Sequence, residues 1–181
     1  TGNVTMTPSA QSSSGGGAIA YNAPAGNLVV AGIDSGAGSI QLNAGSNIET
    51  TNSISSSGSG GINLNAGGNL LLNGPINAAG NGNIKMNAGQ NVTQNANVTS
   101  NGGSIAATAD KGNVVMSATA VSSSSGGTIT YFAPGGNLTI AKLDAGTTGN
   151  IELDAGGTVG PAPGLVGPML TGNAASIEAG G

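Results

Sequence analysis

Ile40-Gln41-Leu42-Asn43-Ala44-Gly45-Ser46-Asn47-Ile48 returns 22 residues later as Ile62-Asn63-Leu64-Asn65-Ala66-Gly67-Gly68-Asn69-Leu70. In each copy apolar and polar residues alternate, as on a strand with one buried face. Asn-Ala-Gly reads as a turn, and the asparagine that follows leads a second apolar run. Outward from this pair, the leading isoleucine recurs at Ile19, Ile40, Ile62, Ile84, Ile105, Ile129 and Ile151, and after a longer gap at Ile177. The asparagine-led position recurs at Asn3, Asn27, Asn47, Asn69, Asn91, Asn113 and Asn137, each followed by Val, Leu or Ile. A period of about 22 residues held along a whole chain is the signature of a solenoid, whose single coils cannot bury an apolar face alone.

A third apolar position follows the second strand, at Ile33, Ile54, Ile76, Val98, Val121 and Leu143. Three short strands per coil, separated by turns, predict an all-β, triangular parallel β-helix of about eight coils. With strands about 4.8 Å apart, the rod is some 35–40 Å long. Helix is disfavoured, because glycine interrupts nearly every ten-residue window and the apolar residues do not recur at 3.6. Ile, Leu, Val and Met lines fill a narrow core. Tyr21 and Tyr131 take the second inward slot of their coils, where a ring either widens the coil or leans toward solvent.

Composition narrows the function. Abundant glycine (35 residues) and few charges (6%) suit a low-complexity tract, but 37% of residues are apolar and regularly spaced, which argues for a packed core. The net charge of −4, from seven acids against Lys85, Lys111 and Lys142, gives no basic face for a polyanion, so no nucleic acid partner is expected. Cysteine is absent, which excludes disulfides and thiolate metal sites. No stretch approaches the roughly 20 apolar residues of a membrane span. No charged and apolar leader opens the chain, so any export signal is expected outside it.

Asparagine tolerates tight corners, and stacked in successive coils its amides can bond one another in a ladder. The corner asparagines are therefore read as structural, and Asn43, Asn65 and Asn87 follow the same logic. A sugar-binding asparagine row is the alternative. Asn3, Asn91, Asn97 and Asn137 also head Asn-x-Thr sequons, more simply a corner asparagine followed by a strand threonine. The serine runs Ser12–Ser14, Ser55–Ser57 and Ser122–Ser125 fall at one corner, as turn filler or glycan acceptors.

A longer repeat overlies the coil. Gly2–Met6 matches Gly112–Met116, Ala18–Pro24 matches Thr128–Pro134, and Ile33-Asp34 matches Leu143-Asp144. Residues 2–111 and 112–159 are thus related by an offset of 110, slipping to 111 at Ile40/Ile151, as duplication of a multi-coil block would leave them. Residues 160–176 are irregular. Pro161, Pro163 and Pro168 cannot donate to a ladder, so this coil is expected to bulge as a loop carrying Leu165, Val166, Met169 and Leu170. Such a loop either contacts a neighbouring rod or tucks over the core. The chain opens in a second strand and closes after Ile177, read as a first-strand isoleucine eight residues before the Val4 of an appended copy. A piece of a longer rod, or a unit stacking end to end or side by side, is the expectation.

The motif Ile-x-Leu-Asn-Ala-Gly-x-Asn-(Ile/Leu) at 40–48 and 62–70 resembles the haemagglutinin-type repeats of filamentous haemagglutinin and related two-partner-secreted adhesins of Gram-negative bacteria. The likeness covers residues 2–159. It implies a right-handed parallel β-helix, secreted to the bacterial cell surface and serving in attachment, biofilm or matrix, with glycans or a host surface as partners. The amino-terminal secretion domain of such proteins is not evident, so export by that route rests on the likeness alone.

Parallel β-helices also carry carbohydrate-active enzymes, which need clustered acids for acid/base work. Asp34 and Asp144 are equivalent positions five coils apart, about 24 Å by strand spacing, and cannot act as a pair. Glu152 and Asp154 can face outward side by side, with Lys142 half a coil earlier, an arrangement read as solvated decoration. Histidine and cysteine are absent, so no triad of those types can form. Gly-x-Gly runs without a following helix cradle no phosphate. The expectation is a non-catalytic rod without cofactor or metal; the alternative is a carbohydrate-binding or carbohydrate-active β-helix. An ice-binding array is disfavoured because threonine does not recur on every coil.

Overall fold

The computed structural model describes residues 2–167 and 169–180. Three eight-stranded sheets, with parallel pairing between neighbouring strands, wind into a β-solenoid of eight coils, and no helix forms among the described residues. Sheet 1 runs from Ile19–Ala23 to Ala174–Ala179, sheet 2 from Val4–Thr5 to Val159–Pro161, and sheet 3 from Gln11–Ser13 to Leu170–Thr171. Each inner strand pairs with its equivalents one coil before and after, so the hydrogen-bond ladders run along the rod and side chains at equivalent positions stack.

Sheet 1 holds the isoleucines in one line: Ile19, Ile40, Ile62, Ile84, Ile105, Ile129 and Ile151 are in direct register. Ile19, in the outermost strand, is half-buried, and the other six are buried. Each fully buried Ile or Leu contributes roughly 1.5–3 kcal/mol, so a coil is stabilised only when its neighbours cover it. Ile177 departs from its expected position. It stacks on Leu153, while Ala175 takes the place above Ile151. The last strand is thus shifted by two residues from the reading that made Ile177 the leading isoleucine.

Sheet 1 strands are longer than the motif suggests. Ile40–Ala44, Ile62–Ala66 and Ile84–Ala88 are all strand, with the final alanine buried. Asn-Ala therefore belongs to the strand and only Gly45-Ser46, or its equivalent, turns the corner. Asn43, Asn65 and Asn87 stand on the outer face, not at a corner. There Asn65 Nδ2 donates to Asn43 Oδ1 at 3.0 Å and Asn87 Nδ2 to Asn65 Oδ1 at 2.8 Å.

Sheet 3 corrects two further readings. Its inward line is Ser12, Ile33, Ile54, Ile76, Val98, Ser122, Leu143 and Leu170. Val121 is paired with Lys142 and is turned partly outward. The cause is length: Val98 to Ser122 spans 24 residues, and the surplus is taken up in a turn closed by Ala120 N–H donating to Ser117 O. The serine runs begin in strands, at Ser12-Ser13, Ser55-Ser56 and Ser122-Ser123, and continue past them into the following turn. Ser56 and Ser124 are buried and donate to the carbonyls of Gly38 and Gly127.

The irregular tail completes its coil in two sheets. Pro161 pairs with Ile140 in the outermost strand of sheet 2, where a missing N–H costs no ladder bond. The bulge is confined between Pro161 and Leu170; within it Ala162 is buried and Val166 is 93% exposed. Pro168 lies outside the described residues.

Candidate functional site

The seven corner asparagines sit immediately before sheet 2 and are joined from coil to coil. Asn27 donates its backbone N–H to Asn3 Oδ1 (2.8 Å), Asn47 to Asn27 (3.1 Å), Asn69 to Asn47 (2.7 Å) and Asn91 to Asn69 (3.2 Å). Asn113 and Asn137 continue the line, each at 2.8 Å, and Thr158 closes it on Asn137 Oδ1 at 2.7 Å. In the first four steps the amide Nδ2 donates to the same oxygen. These side chains thus satisfy corner N–H groups that the ladders leave free. A row so engaged has its carbonyl oxygens committed to the protein. Among the sequon asparagines, Asn97 stands outside this line, with Oδ1 accepting from Val121 N–H at 3.0 Å.

Asp34 and Asp144 lie in one outward column of sheet 3, five strands apart. Each Oδ1 accepts the N–H two residues on, from Gly36 and Gly146, both at 3.0 Å. Those glycines have φ of 58° and 70°, so the carboxylates brace left-handed corners. Glu152 and Asp154 do face outward beside one another on sheet 1, whereas Lys142 belongs to sheet 3. No group of three or more acidic residues placed to hold a metal ion occurs among the described residues.

The register brings further groups to Glu152 and Asp154. Thr130, Glu152 and Ser176 form one outward column, and Thr108, Phe132, Asp154 and Glu178 the next. Between them runs a trough of about 330 Å³, in whose floor only the backbone of buried Leu153 can take part. Thr130 Oγ1 donates to Glu152 Oε2 at 3.2 Å. Phe132 and Glu178 were not singled out by the sequence. The available signal was the column itself, which reads Asn22, Asn43, Asn65, Asn87, Thr108 and then Phe132.

Inside the rod the sequence also left a polar group unseen. Tyr131 does not lean outward; it is fully buried. The coil before it carries only Ala107 in that slot, and the ring fills the space. Its hydroxyl donates to Gln94 Oε1 at 2.6 Å and lies 2.7 Å from Ser122 Oγ. Gln94 Nε2 donates to Ser122 Oγ at 3.0 Å and to Ala96 O at 3.1 Å. With Ser122 donating to the phenol oxygen, the three side chains close a ring of bonds across three sheets. Tyr21, in the equivalent slot of the outermost sheet 1 strand, is half-buried.

Burial pushes the Tyr131 phenol well above the ordinary tyrosine range, and the Ser122 hydrogen bond lowers it only in part. The unfolded chain releases this proton near pH 10. Above that pH the unfolded state binds fewer protons than the folded one, so the neutral phenol's contribution is intact below about pH 10 and is lost as pH rises further. Thermal melts between about pH 9 and 12 should therefore fall more steeply for the wild type than for Tyr131→Phe. Equal slopes would remove Tyr131 as a source of alkaline lability.

Set against known proteins, the chain matches no family model, no curated sequence and no solved structure.

Proposed function

We propose that this chain is a non-catalytic structural segment of a large extracellular surface protein of a Gram-negative bacterium, acting in attachment, biofilm or matrix. The observation that carries the reading is the unbroken eight-coil stack, whose ladders, amide line and apolar core all run along one axis. Such a rod supplies reach and a protease-resistant surface without a pocket, because few irregular segments interrupt its backbone pairing. The resemblance of residues 40–48 and 62–70 to haemagglutinin-type repeats supports the adhesin class, and self-association of rods is consistent with it.

Electron microscopy of native material tests the proposal. Surface-tethered thin rods are expected for an adhesin, and continuous thin filaments with a repeat near eight coils for a fibre subunit. Material found only as free particles inside the cell would overturn both forms of the reading.

A further inference from the structure

We infer that the outer trough of sheet 1 is a saccharide-binding site, selective for neutral or amino sugars over uronates and sulfated glycans. This names the class of partner for the surface-attachment reading and rests on it. Four observations converge. The trough, at about 330 Å³, falls within the size of small-ligand sites, roughly 300–1,000 Å³. Its aromatic group is Phe132, the single phenylalanine of the chain, set outward in a column whose earlier members are asparagine and threonine. The ring is half-buried among its neighbours, and the part left open on this polar face presents a negative surface that suits the C–H groups of a sugar ring.

The third observation is the flanking chemistry. Thr108, Thr130 and Ser176 offer hydroxyls, and Glu152, Asp154 and Glu178 offer acceptors for sugar hydroxyl or amine donors. Asp154 and Glu178 are direct cross-strand neighbours, an arrangement of like charges that costs stability in a sheet. The fourth is what the lining lacks: no lysine borders the trough, so nothing there offsets the repulsion between an anionic sugar and the three carboxylates. A basic peptide is the competing partner for these acids. The carboxylates are exposed, however, and charge attraction there is weakened by salt, whereas stacking on Phe132 is not.

The probes are three linear tetrasaccharides, of glucose, glucosamine and galacturonic acid, with an oligolysine peptide as comparator, titrated calorimetrically into the 181-residue chain. The glucose or glucosamine tetramer should bind and the galacturonate tetramer should not. Phe132→Asn restores the residue that the column carries at 22, 43, 65 and 87, so the fold is expected to hold, as a thermal melt will show. It should weaken binding at least about tenfold, the scale of a buried aromatic anchor. Asp154→Asn, with its shape kept, should weaken the glucosamine tetramer more than the glucose one.

Absence of binding by both neutral and amino sugars would overturn the inference, as would binding unchanged in Phe132→Asn or equal binding of galacturonate. Oligolysine binding that displaces the sugars' signal and vanishes with salt would make the face a cation-binding one, which also overturns it. If native rods still tether to surfaces in the Phe132→Asn variant, the trough assignment falls while the attachment reading stands.

Discussion

Replacing Tyr131 by alanine is expected to lower the unfolding free energy by about 3–5 kcal/mol, the cost of emptying a large buried aromatic site. The ring is fully enclosed, and Ala107 beneath it cannot refill the space. The same change strands Gln94 and Ser122, which are buried and whose hydrogen bonds converge on the phenol. Tyr131→Phe separates the two contributions. It keeps the packing and removes only the hydroxyl, at about 1–3 kcal/mol for polar groups left less satisfied. Adding Gln94→Met and Ser122→Val to the phenylalanine variant should recover most of that loss, since Leu72 and Met116 flank position 94 in the inward line. Denaturant unfolding followed by circular dichroism measures all three. A loss below about 1 kcal/mol for the alanine variant would show that the ring is not a packing element.

Gly67→Val is expected to cost about 3 kcal/mol or more, from overpacking against backbone that cannot move aside. A Cβ at Gly67 would run into the carbonyl oxygen of Gly45 in the coil before, and one at Gly89 would meet Gly67 in the same way. The ladder fixes the approach: Gly67 N–H donates to Ala44 O and Gly89 N–H to Ala66 O, both at 2.9 Å. Gly67 has no positive φ, so close approach is the reason for glycine here. Two-residue corners such as Gly67-Gly68 demand it. Corners one residue longer accept Pro24, Asp110 and Pro134 at the equivalent place after the buried alanine. Gly15→Val is the control, because a Cβ there meets nothing within 4 Å, and its effect should stay within about 0.5 kcal/mol. Equal loss at both positions would mean that coil spacing does not constrain the corner.

The candidate trough was half legible. Glu152 and Asp154 could be placed outward on one strand from alternation alone. Thr130 and Phe132 obey the same alternation, yet their meeting with Glu152, Asp154 and Glu178 depends on which coil lies above which, and at what register. The final strand shows why this matters. Its isoleucine suggests one register, and the pairing of Ile177 with Leu153 sets another that aligns Glu178 with Asp154.

By itself the sequence determined the coil: its period of about 22 residues, its three strands, the isoleucine line and the asparagine-led corners, because each is a local pattern repeated until only stacking satisfies it. Tertiary structure decided whatever depends on contacts between coils of unequal length. The two extra residues between Val98 and Ser122 turn Val121 outward and bring Ser122 inside. There it meets Gln94, 28 residues earlier, and Tyr131, nine later. No periodicity encodes that meeting. It arises because a buried hydroxyl, phenol and amide must find partners, and in this rod they find one another.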